Sequence, residues 1–160
     1  SLPEALVDRF MMKIIIDYPS IDAEKEILRL HNQGFSSIDL DKCELQTVCT
    51  EEDILKCKNE IKEVNVDDAL MEYIVNIVNE TRNNISIEIG SSPRGTIALL
   101  KTAKTCASIC GRDYVIPEDI KKMTIPTLRH RIRLNPEIEL EGITPKEVLL
   151  DILSKVKVPR

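Results

Sequence analysis

GSSPRGTIALLKTAK, residues 90–104, decides the fold. Gly90 and Gly95 have the glycine spacing of a GxxxxGK[ST] phosphate loop, in which backbone N–H groups surround the phosphates, a lysine reaches the terminal ones and a hydroxyl binds magnesium. Thr96 stands where that lysine is required, Ile97 where the hydroxyl is required, and Pro93 deletes one of the amides. The stretch reads instead as a capped helix start, with Ser92 as N-cap, Pro93 at the first helical position and Arg94 in the first turn. Behind it, Leu99, Ala103, Cys106, Ala107 and Cys110 supply an apolar face, Lys101, Lys104, Thr105 and Ser108 a polar one, and Gly111 an end. Arg94 is poorly placed for helix stability, because the positive end of the macrodipole repels it. It projects, like Lys101, from the polar face. An exposed cation at a positive helix end attracts anions, phosphate above all. The competing reading is a surface arginine paired with an acidic neighbour.

On the N-terminal side, Ile85, Ile87 and Ile89 of ISIEIG alternate, which predicts a short strand or extended segment leading into the loop. Before it, VDDALMEYIVNIVNETR carries Leu70, Tyr73, Ile74, Ile77 and Val78 at the spacing of an amphipathic helix. Thr50 and Asp53 resemble a capping box, with Asp in place of Glu, opening a helix striped by Ile54, Cys57, Ile61 and Val64. Ser20 caps another, with apolar Ala23, Ile27, Leu28 and Leu30 and a terminating Gly34. Residues 35–49 read as a loop. LPEALVDRF predicts a short helix with Pro3 in its first turn. The β-branched run at 11–17 predicts a strand buried on both faces, although the rest of the chain offers such a strand few neighbours. On the C-terminal side, Pro117–Met123 and Pro126–Arg131 read as two short helices, each with proline near its start. Thr144, Pro145 and Glu147 form the capping box of a last helix, with Val148, Leu149, Ile152 and Leu153 on one side.

The 160 residues are 42% hydrophobic with three Tyr, two Phe and no Trp, so one aliphatic, mostly helical core is expected. A formal charge of −5 argues against a phosphate-backbone binder, which normally carries a basic excess on one face. Cys43, Cys49, Cys57, Cys106 and Cys110 form no CxxC pair, and His31 and His130 lie far apart, so a zinc site has no support. Cys106 and Cys110, four apart on a helix, read as small buried thiols. An odd, unpatterned cysteine set suits a reducing cytoplasm. No stretch approaches the roughly 20 apolar residues of a membrane span, and no signal peptide is visible.

Two more cationic features need a reading. Arg9, in VDRF, projects beside Asp8 from a helix end anchored by Leu6 and Phe10; an arginine so placed usually meets carbonyls or the adjacent carboxylate. Arg129, His130, Arg131 and Arg133 form a basic cluster that is short, lacks an aromatic stacking residue and belongs to an acidic chain. It reads as a solvated or domain-facing surface and not as a nucleic-acid patch. His130 has no Ser, Cys or Asp partner at motif spacing, so triad chemistry has no support. The acidic runs at 51–53 and 67–68 sit at helix N-termini, where the dipole accounts for them.

LPEALVDRF, the segment ending in DYPS, GSSPRGTIALLKTAK, GRDYVIPEDI and LRHRIRLNPE together resemble, in this order, the MoxR-type AAA+ ATPases. The resemblance covers nearly the whole chain and implies the C-terminal part of such an ATPase. Residues 1–19 would be the end of the nucleotide-binding core, with its arginine-finger helix and last strand, and residues 20–160 the helical lid with a C-terminal tail. By resemblance, Arg94 is the sensor-2 arginine, reaching the γ-phosphate of the nucleotide held by its own subunit. Arg9 is the arginine finger, completing the neighbouring subunit's site in a ring, commonly a hexamer. The family also implies ATP and Mg2+ as cofactors of the full-length protein, Walker motifs upstream of residue 1, and chaperone-like remodelling of partners, often with von Willebrand factor A-domain proteins. Where similar sequences often have a Thr cap before PED, Ile116 stands here.

The expected fold is thus mainly α: a helical AAA+ lid bundle with a short β element and a remnant strand of an α/β core. By itself this stretch is expected to lack ATPase activity and to bind nucleotide weakly at most, in a cytoplasmic protein. The reading from a different class is a free-standing helical interaction module that uses apolar grooves and binds no nucleotide.

Overall fold

The computed structural model describes residues 3–36 and 46–159. Its elements are α1 (Glu4–Val7), α2 (Ile21–Asn32), α3 (Glu51–Glu63), α4 (Asp68–Asn83), β1 (Ile87–Ile89), α5 (Pro93–Ile109), α6 (Pro117–Leu128), β2 (Arg133–Leu134), α7 (Pro136–Leu140) and α8 (Pro145–Lys155). They fall into two compact units, Ser1–Ile14 with Cys57–Arg160, and Ile15–Lys56.

In the smaller unit, local chemistry sets the helix ends. The Ser20 hydroxyl accepts from the Ala23 N–H at 3.3 Å, and α2 stops at Gly34, whose φ of +88° favours glycine. The first turn of α3 is closed by Thr50 and Asp53: the Asp53 carboxylate accepts from the Thr50 N–H at 2.8 Å and the Thr50 hydroxyl from the Asp53 N–H at 3.2 Å. The apolar stripe of α2 buries nothing, and Leu28 stays 70% exposed. Within the expected loop, residues 37–45, with Cys43, lie outside the described residues.

The larger unit holds the core. Tyr73, Ile74, Ile77 and Val78 of α4 face Leu99, Ala103 and Ala107 of α5, Ile120 and Leu128 of α6, and Leu149 and Ile152 of α8, all of them almost completely buried. Each large aliphatic side chain so placed contributes about 1.5–3 kcal/mol by leaving water. Between α5 and α6, the buried Thr102 and Thr127 hydroxyls meet at 3.2 Å. Thr144 and Glu147 cap α8 as a reciprocal box, at 2.7 and 3.3 Å. At α6, Ile116 offers no side-chain acceptor; Asp119 still accepts from the Ile116 N–H at 3.0 Å, so half of the box is kept. Asp119 also takes both arms of Arg112, each at 2.7 Å.

Three expectations are corrected. Residues 11–17 form no strand, and Ile14 and Ile16 are 76% and 90% exposed, because among the described residues no sheet neighbour lies alongside them. The expected short strand is present at Ile87–Ile89 and pairs with β2, antiparallel, Ile87 opposite Leu134. Pro117–Leu128 is one helix with Pro126 inside it, not two. The buried face formed by Ile120, Thr124, Thr127 and Leu128 runs across the proline, and the helix bond it forfeits belongs to the carbonyl of the exposed Lys122. Finally, Cys106 is buried, but Cys110, at the C-cap of α5, is exposed.

Candidate phosphate-contact site

The loop before α5 is tied down from both sides. The Ser91 N–H donates to the buried Thr81 hydroxyl at 3.0 Å, and Arg82 Nε donates to the Ser91 carbonyl at 2.8 Å, so the last turn of α4 grips the loop. Ser92 then caps α5: its hydroxyl accepts from the Arg94 N–H at 3.1 Å and donates to the Asp8 carboxylate at 2.9 Å. The two glycines have steric roles. A Cβ on Gly90 would lie 2.6 Å from Arg82 Cα and from the Thr81 carbonyl oxygen, and one on Gly95 would lie 3.1 Å from Arg131 Cδ and closer still to Ser91 Oγ.

Arg94 therefore leaves the first turn of a helix whose start is fixed. Its side chain is 63% exposed, with Nη1 3.6 Å from Asp8 Oδ2. At that distance and exposure the pair is worth well under about 1 kcal/mol. An acidic neighbour is present, and it holds the guanidinium only loosely.

Arg9 follows α1 in a turn closed by its own N–H to the Leu6 carbonyl at 3.1 Å and by the Phe10 N–H to the Val7 carbonyl at 3.1 Å. Leu6 and Phe10 are 44% and 59% exposed, so they do not anchor this helix end as expected. Nor, among the described residues, does the Arg9 side chain take the nearby carbonyls. Arg131 does, reaching in from the chain after α6. Its Nη2 donates to the Asp8 and Phe10 carbonyls at 3.1 and 2.6 Å, and its Nη1 to the Met11 carbonyl at 3.0 Å and to that of Thr127. Its Nε lies 3.3 Å from Asp8 Oδ1, a charge contact without hydrogen-bond alignment. The side chain is 2% exposed. Burial lowers the hold of Arg131 on its proton, and the Asp8 carboxylate opposes that. Beside it, His130 Nε2 lies 2.9 Å from the Phe10 carbonyl, and burial, with smaller help from the charges of Arg131 and Lys13, pushes the imidazole below its ordinary range.

The structure thus brings both sequence-predicted residues to one place: Arg9, Arg94, Lys101 and Arg131 line a shallow depression of about 150 Å³ with Asp8 among them. Three cations there are exposed and one is buried. Such a surface can accept an oxyanion, and the one carboxylate in its lining, Asp8, is taken up by Ser92 and by the charges of Arg94 and Arg131. Among the described residues no His, Cys, Asp and Glu group could hold a metal ion, and no helix is long and apolar enough to cross a membrane. Sequence reasoning missed Arg131 and the double role of Ser92. The one available signal was the placement of Arg131 three residues after Leu128 and three before Leu134, both core positions.

Residues 79–152 match the family model of the AAA lid domain. The chain is 42% identical over 158 residues to the uncharacterized protein YeaC of Bacillus subtilis, covering 99% of this chain and 48% of that protein. It is 31% identical over 168 residues to the chaperone MoxR1 of Mycobacterium tuberculosis, covering 99% of this chain and 43% of the relative. A crystal structure of a Cytophaga hutchinsonii protein assigned as an ATPase superposes with a TM-score of 0.85 at 38% identity, covering 100% of this chain and 50% of that one. The chain spans about half the length of these relatives. With the lid-domain match spanning both α5, which carries Arg94, and the segment after α6, which carries Arg131, the chain belongs to the MoxR-type AAA+ ATPases, of which it carries the part that includes the lid domain.

Proposed function

We propose that this chain is the C-terminal part of a ring-forming ATPase and supplies two arginines to ATP hydrolysis. Residues 1–19 end the nucleotide-binding core, and residues 20–160 form the lid and tail. Arg94 senses the γ-phosphate of the nucleotide in its own subunit, and Arg9 reaches the nucleotide of the next subunit. The observation that carries this reading is Arg94 itself, an exposed and loosely paired guanidinium on the first turn of a 17-residue helix whose start is clamped from two sides. A guanidinium so presented stabilises the charge that grows on phosphate oxygens as the bond breaks, and it costs little to reorganise. The exposed apolar stretch at residues 14–16 and the uncovered stripe of α2 support the presence of further structure around them in the full-length protein. ATP and Mg2+ would be bound mainly by that further structure, with this chain meeting only the phosphates. The work done would be chaperone-like remodelling in the cytoplasm, in a ring, commonly a hexamer, with von Willebrand factor A-domain proteins as partners.

The test uses the full-length protein. Arg9→Ala should lower kcat by roughly three powers of ten or more, the scale of an arginine finger. Mixing Arg9→Ala subunits with subunits whose phosphate loop is inactivated should restore part of the activity, since each then supplies what the other lacks. Arg94→Ala should not be restored in this way. One observation favours a second reading: Arg9 and Arg94 line the same depression. If both serve one phosphate, the two variants behave alike on mixing, and the division into own and neighbouring sites is refuted.

A further inference from the structure

The basic cluster at 129–133 is the one sequence feature the proposed function leaves unused. We infer that Arg131 is the positioning residue for Arg9, an inference that rests on the arginine-finger reading above. α1 is a single turn of four residues, too short to hold its own shape, so the segment from Asp8 onward needs an external support. Arg131 provides one. Its donors take the carbonyl of Asp8, which belongs to the peptide leading into Arg9, and those of Phe10 and Met11 on the far side. Arg9 is thereby bracketed while its own side chain stays exposed and, among the described residues, makes no side-chain hydrogen bond or ion pair. Burying a guanidinium is costly unless its donors are satisfied, and here most of that satisfaction comes from main-chain carbonyls of one segment. The fixed quantity is the backbone that carries Arg9.

The same side chain abuts the helix that carries Arg94, for Arg131 Cδ comes within 3.1 Å of the Cβ position of Gly95. A displacement of the first turn of α5 toward or away from nucleotide therefore moves the clamp that holds Arg9. Arg131 links what the lid senses to where the finger points.

The test is Arg131→Lys in the full-length protein. A lysine keeps the charge but cannot bridge carbonyls on both sides of Arg9 with one compact ammonium. The expected result is a kcat roughly a hundredfold lower, as for a catalytic group misplaced by about 1 Å, with the KM for ATP unchanged. When Arg131→Lys subunits are mixed with phosphate-loop-inactivated subunits, activity should return, because the latter lend intact fingers to the former. A residue of purely structural importance to its own subunit gives no recovery at any ratio, and that result overturns the inference. Arg9→Ala, mixed in the same way, is the reference. If it also fails to recover, the finger reading falls; if it recovers and Arg131→Lys does not, only the role of Arg131 falls. Should Arg131→Lys lose its cooperative melting, Asp8→Asn decides. It weakens the Nε contact, leaves the carbonyl bonds and also loosens the Ser92 and Arg94 contacts of the same carboxylate, so its defect should be smaller and should recover on mixing down to the part owed to Arg94; a defect of which no part recovers overturns the inference.

Discussion

Gly90→Ala tests whether the loop before α5 is held by contact with α4. The added methyl would sit 2.6 Å from Arg82 Cα and the Thr81 carbonyl oxygen, and 2.8 Å from the Arg82 nitrogen. All three are backbone atoms of a helical turn, so none can swing aside as a side chain would. Relief requires the loop to retreat by roughly 0.8 Å to reach ordinary van der Waals separation. That retreat takes the Ser91 N–H, now 3.0 Å from the Thr81 hydroxyl, out of hydrogen-bonding range. Both groups are buried, so the lost bond costs about 1–3 kcal/mol, and the overpacking adds about 1–3 kcal/mol. A total of about 3 kcal/mol lowers the melting temperature by roughly 10 °C. Urea and thermal unfolding of this chain, followed by circular dichroism, measure it. Gly111→Ala is the comparison, because Gly111 has a φ of +72° and no atom within 4 Å of its Cβ position, leaving only backbone strain of about 1–2 kcal/mol. If Gly90→Ala destabilises no more than Gly111→Ala, the contact argument is wrong.

Three other outcomes are expected. Tyr73 is 1% exposed and its hydroxyl has no hydrogen-bond partner among the described residues, so Tyr73→Phe should leave stability unchanged or raise it by up to about 1 kcal/mol; a loss larger than that, read from urea midpoints, counts against the unpaired hydroxyl. Asp119→Ala strands the Arg112 guanidinium and the Ile116 N–H and should cost about 2–3 kcal/mol. Burial by itself would raise the Asp119 carboxyl, but the Arg112 hydrogen bonds and the Ile116 N–H outweigh it and hold it below the carboxylate range. Its contribution is therefore complete above the unfolded value of about 3.9 and is lost as pH falls through the lower folded value. Acid titration of the wild type should show a stability loss in that window that Asp119→Ala lacks. His130 is pushed down chiefly by burial, so the unfolded chain takes up the proton first as pH falls. Stability should rise with pH from the folded value up to about 6.5, and His130→Gln should flatten that slope; superimposable curves would refute the half-buried neutral imidazole.

The helices were legible because their determinants are local. Ser20, Asp53, Ser92 and Glu147 cap as the sequence indicates, each within three residues of its partner. The spacing of Leu70, Tyr73, Ile74, Ile77 and Val78 identified the face that forms the core, since helical periodicity fixes which side chains share a side. Arg9 and Arg94 could be singled out as exposed cations at helix ends. Their neighbours could not be foreseen.

What the sequence by itself determined is where the helices start, which faces are apolar, and that Arg94 stands at a positive helix end. Tertiary structure decided the rest, because each remaining question concerned a partner distant in the chain. The run at 11–17 has every local preference for a strand, yet a strand exists only with a neighbour to bond. β1 found its neighbour in Arg133–Leu134, more than forty residues away. Gly90 and Gly95 looked like a failed phosphate loop, and their spacing instead reflects two close approaches, one to α4 and one to Ser91 and Arg131. Arg131 looked like one member of a surface cluster. Only the fold carries it to the carbonyls of Asp8, Phe10 and Met11, where a buried guanidinium finds enough acceptors to be stable.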